Sequence, residues 1–62
     1  MLKVKAFSNV PEELIEFRVN RWLEETYEKV GAVDVVSVSQ SQDGEYVALT
    51  IFYKESKYTW YQ

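Results

Sequence analysis

The chain has no cysteine and no histidine among its 62 residues. Without cysteine there is no disulfide to brace a small fold. Without either residue a structural zinc site of the usual kind is excluded. The same absences remove the common nucleophile and the common general base, so Ser37, Ser39 and Ser41 have nothing to activate them. Glycine occurs only as Gly31 and Gly44, so no glycine-rich phosphate loop exists. No apolar run approaches the length of a membrane span. The opening MLKVKAF carries lysines inside its apolar stretch and is not read as a signal peptide. Basic residues are also scarce, with 7 Lys and Arg against 10 Asp and Glu and a formal charge of −3. That balance argues against a protein built for nucleic-acid phosphates.

What remains is rich in apolar and aromatic residues, at 47% and 16%. That composition belongs to a folded chain, not a disordered one. One domain of this size is marginal. The extended chain exposes roughly 10,600 Å² and a folded monomer keeps roughly 4,200 Å². Burial then stabilises by about 95 kcal/mol. Ordering the chain costs about 93 kcal/mol. With disulfide and zinc excluded, self-association is the expected support.

Leu2 to Phe7 alternates as a strand, with Leu2, Val4 and Ala6 on one face and Lys3, Lys5 and Phe7 on the other. Ser8 or Asn9 is placed to cap a helix, Pro11 suits its first turn, and Glu12 and Glu13 favour its positive end. A helix is expected from Pro11 to Lys29, with Ile15, Val19, Trp22, Leu23, Thr26 and Val30 on one stripe. Gly31 suits a left-handed cap. A second strand spans Ala32 to Ser41, with a bulge at Val35-Val36 where the alternation slips. Asp43-Gly44 signals a hairpin into a third strand, Glu45 to Lys54, which is apolar on both faces. The expectation is an α+β domain of order β-α-β-β. Its three-stranded mixed sheet has strand 3 in the centre, with one helix packed on one face. Residues 1–62 form a single domain, and the aromatic tail 55–62 is expected to pack on a neighbouring subunit.

One sheet face is left without a cover. It is expected to carry Phe7, Tyr46, Ala48, Thr50 and Phe52 and to be an interface. Phe7, Phe17, Ala48, Thr50, Tyr58 and Tyr61 are the interface candidates. Lys3, Lys5, Arg18 and Arg21 are the cations for an anionic ligand, with Tyr46, Phe52 and Trp60 to stack a planar ring. No catalytic residue, cofactor or metal is expected. The glutamates lie along the helix and are not paired across a cleft, and Asp34 and Asp43 stand alone.

The segments Val4-Lys5-Ala6-Phe7, Glu16-x-x-x-Asn20-x-Trp22-Leu23, Val36-Ser37-Val38-Ser39 and Ile51-Phe52-Tyr53-Lys54 carry a resemblance. Together they resemble a family of small proteins from Gram-positive bacteria and their phages, labelled sporulation-protein-like. The resemblance spans most of residues 3–54 and implies no established activity. The tail after Lys57 lies outside it. It suggests a bacterial or phage accessory protein of the cytoplasm.

The expected function is a non-enzymatic, homo-oligomeric binding module. It would sequester a small anionic, nucleotide-type ligand between subunits, by analogy with phage accessory proteins that trap nucleotide signals. The alternative is a protein inhibitor or adaptor that meets a host protein through an edge strand or the acidic face of Glu13, Glu24 and Glu28. A third reading places RNA on the aromatic and lysine-bearing sheet.

Overall fold

The computed structural model describes residues 1–55. β1 spans Leu2–Pro11, a short 3-10 turn covers Glu12–Leu14, and α1 spans Ile15–Val30. β2 is Val33–Asp43 and β3 is Tyr46–Glu55. The sheet order is β1-β3-β2, so β3 is central as its two apolar faces require. Both hydrogen-bonded pairs are antiparallel. The expected mixed sheet is therefore not formed. β1 and β2 run in the same direction, but β3 lies between them and they share no ladder.

Two bulges set which side chains face the helix. In β1, Phe7 opposes Leu49 and Val10 opposes Val47, so one residue is extra. Asn9 takes it up at φ 55, a left-handed conformation that asparagine tolerates. Strict alternation would turn Val10 away from Phe7's face. The bulge turns it back, and Val10 is the most buried residue, 1% exposed. β1 thus runs four residues beyond its expected end, and Asn9 serves the bulge and caps nothing. In β2 the extra residue is Val36, between the pairs Val35–Tyr53 and Ser37–Phe52. This is the bulge that the Val35-Val36 slip predicts. It keeps Val33, Val35 and Val38 on one face.

The helix begins without a side-chain cap. Instead the Glu12 N–H donates to the Glu45 carbonyl at 2.8 Å, tying the helix start to the hairpin. The stripe is as the spacing predicts. Ile15, Val19, Trp22, Leu23, Thr26 and Val30 are half-buried, and every other α1 residue is exposed. Gly31 ends the helix at φ 92, ψ −163, and its N–H donates to the Tyr27 carbonyl at 2.9 Å. That is not the left-handed helical cap expected but the extended mirror region, which is nearly closed to side chains. The hairpin closes through Gly44 and Glu45, with Gly44 at φ 65 supplying the first turn position.

The core is Phe7, Val10, Ile51 and Tyr53, with Ile15, Val19, Trp22, Val33 and Leu49 packed against it. Trp22 meets both Phe7 and Tyr53 edge to face, at centroid distances of 6.3 and 5.1 Å. Phe7 therefore lies beneath the helix, not on the open face. Its strand neighbours Lys3 and Lys5 share the helix side, since they pair with Tyr53 and Ile51. Aromatic packing on Trp22 outweighs the two lysines, of which Lys3 stays exposed and Lys5 reaches over the Phe7 ring. The open face instead carries Leu2, Val4 and Ala6 of β1 beside Phe52, Thr50, Ala48 and Tyr46 of β3. Across β3 from them, β2 presents Asp34, Ser37, Ser39, Ser41 and Asp43.

Candidate functional site

Each turn of α1 sets residues three and four apart on one side. Arg18, Arg21, Trp22 and Glu25 thereby face β1, where Lys5 and Phe7 alternate onto the helix side. These six side chains line a groove of about 450 Å³. Phe7 and Trp22 form its floor. Lys5 sits over the Phe7 ring, its Nζ 5.1 Å from the centroid. Arg21 Nε donates to Glu25 Oε2 at 3.2 Å, an exposed pair along the helix. Among the described residues, Arg18 and Lys5 form no ion pair with a carboxylate. The groove thus gathers three cations against one carboxylate in a chain whose net charge is −3.

Of the expected ligand residues, the fold brings Lys5, Arg18 and Arg21 together. Phe7, expected at an interface, joins them as floor, and Trp22 is an addition. Trp22 reads as core from its spacing, and its half-exposed ring is visible only once β1 is placed beside it. Lys3 lies lower on the same side and pairs with Glu55 at 3.0 Å. Tyr46 and Phe52 are on the opposite sheet face and do not contribute to this groove. The lysine-and-aromatic sheet surface expected for RNA is therefore not assembled, because Tyr46 and Phe52 face away from Lys3 and Lys5 and Phe7 is buried under the helix. Ala48 and Thr50 are half-buried on the open face, and Phe17 is 60% exposed on the helix. Tyr58, Trp60 and Tyr61 lie outside the described residues.

The chemistry available is recognition. Guanidinium forks at Arg18 and Arg21 suit phosphate or carboxylate oxygens, and the Lys5 ammonium adds a point charge. The half-exposed Trp22 ring offers apolar contact to a planar body, with buried Phe7 beneath it. The groove is lined by α1 and β1 of one chain. No group of three or more metal-ligating side chains occurs among the described residues. No helix among them is long and apolar enough to cross a membrane.

A second groove of about 450 Å³ lies at the C-terminal end of α1, lined by Leu23, Glu24, Tyr27, Glu28, Gly31, Ala32 and Val33. It is apolar with an acidic rim. Comparison with protein-family models, with curated proteins and with solved structures finds no match. The roles of these residues therefore rest on their geometry.

Proposed function

We propose that this protein is a non-enzymatic binding module that acts as a homo-oligomer and takes up a small anionic ligand of nucleotide type. The ligand lies in the groove between α1 and β1 of each subunit. Arg18 and Arg21 receive its phosphates, Lys5 closes the far side, and its ring rests on Trp22. The single observation behind this reading is the convergence of Lys5, Arg18 and Arg21 on an aromatic floor. The fold carries Lys5 of β1 to Arg18 and Arg21 of α1, and among the described residues neither Lys5 nor Arg18 is paired with a carboxylate. Burial so slight that, among the described residues, five hydrophobic side chains are buried and Val10 alone is fully so supports the oligomer. The role is that of a bacterial or phage accessory protein.

Isothermal calorimetry with a panel of mononucleotides, dinucleotides and cyclic dinucleotides tests it. Binding is expected to weaken at least tenfold in Arg18→Glu and to fall with added salt. A panel that gives no heat at any member ends the ligand reading. The protein-adaptor reading has its own footing in the acidic second groove, where Tyr27 is 58% exposed. It predicts instead a partner protein whose binding is lost in Glu28→Lys and unchanged in Arg18→Glu.

A further inference from the structure

We infer that the free edge of β2 joins two copies of this chain, strand to strand, into one continuous sheet. The inference rests on the oligomeric reading above and names its surface. The sheet has two outer edges, and they are built differently. β1 carries Lys3 and Lys5, a bulge at Asn9 and a proline at its end. These are the devices that keep an edge from pairing. β2 from Ser37 to Gln42 has no charge, no proline and no glycine, and all six residues are exposed. Its one bulge, at Val36, sits below that run.

The backbone points the same way. The hairpin loop has two residues, so Asp43 and Tyr46 form its hydrogen-bonded closing pair. Ser41, Ser39 and Ser37 then exchange bonds with β3. The intervening Val38, Gln40 and Gln42 aim their N–H and C=O groups outward. An antiparallel copy centred on Gln40 satisfies all three. Val38 meets Gln42, Ser39 meets Ser41, and Ser37 meets Asp43, so no carboxylate faces a carboxylate. A β1 pair centred on Val4 would set Lys3 against Lys5. Joining β2 to its copy also covers Val38, now 53% exposed. The product has six strands, and both outer edges are β1. Growth stops at two copies, a closed symmetric dimer and not a fibre.

The absence of cysteine makes the test direct. In Gln40→Cys the two thiols meet at the two-fold axis with Cα atoms about 5.5 Å apart, within disulfide reach. Mild oxidation is expected to give a cross-linked dimer. Lys5→Cys, on the β1 edge, is expected to stay uncross-linked. Light scattering is expected to find a dimer in the unmodified protein and a monomer in Gln40→Lys, with unchanged circular dichroism. A monomer at every concentration overturns the inference, as does a dimer that persists in Gln40→Lys or cross-links through Lys5→Cys. Nucleotide calorimetry on the Gln40→Lys monomer separates the two proposals. Heat retained there leaves the ligand groove standing alone, and a dimer with no nucleotide heat leaves only the β2 joint.

Discussion

β1 and β2 flank the same central strand, and their surroundings differ sharply. β1 gives Phe7 and Val10 to the core and borders the cationic groove. β2 is exposed at ten of its eleven positions, with only Val33 half-buried. The cause is width. A helix is about 10 Å across, and strands lie about 4.8 Å apart. One helix covers two strands well, and the aromatic contacts of α1 run from Trp22 to Phe7 of β1 and Tyr53 of β3. The stability of the chain should therefore reside in β1, β3 and α1. β2 should tolerate change until a partner covers it.

That contrast breaks most visibly in the core. Phe7→Ala removes the β1 ring that packs on Trp22 and should cost about 3–5 kcal/mol. In so small a domain this should leave the chain largely unfolded by circular dichroism at 25 °C. A cooperative melt near the parent temperature would mean the core is not where the packing puts it. Asn9→Val comes next. A β-branched residue forced to φ 55 should cost about 1–2 kcal/mol by urea denaturation, whereas Asn9→Gly should be close to neutral. Equal effects of the two would remove the bulge's role in aiming Val10. Gly44→Ala should cost about 1 kcal/mol through backbone strain alone, since nothing lies within 4 Å of the added methyl group. Val36→Thr in the exposed bulge should change stability by under about 0.5 kcal/mol. A loss several times larger would show that β2 is held more firmly than its exposure implies.

The sequence was legible where periodicity and special residues agree. The helix stripe from Ile15 to Val30, the Gly44 hairpin, the Val36 slip and the central place of β3 all follow from spacing. Alternation alone could not say which face of β1 meets the helix. Leu2, Val4 and Ala6 form the more apolar set, and hydrophobicity favours them for the core. Phe7 is there instead because its ring packs on Trp22, a contact made across the crossover. Asn9 was ambiguous for a related reason. An asparagine two residues before a proline suits a helix cap and a left-handed bulge equally, and pairing with β3 decides between them. The groove was half legible. Lys5, Arg18 and Arg21 stood out as cations, but their grouping with Trp22 needs α1 laid against β1. Tyr46 and Phe52 are separated from them by the thickness of the sheet.

Native mass spectrometry on protein purified without refolding tests the groove and the β2 joint together. It counts subunits and weighs any retained small molecule in one spectrum. The account predicts a dimer carrying added mass of nucleotide size, lost in Arg18→Glu while the dimer remains. A bare monomer that stays bare when nucleotides are supplied would contradict both the groove and the joint.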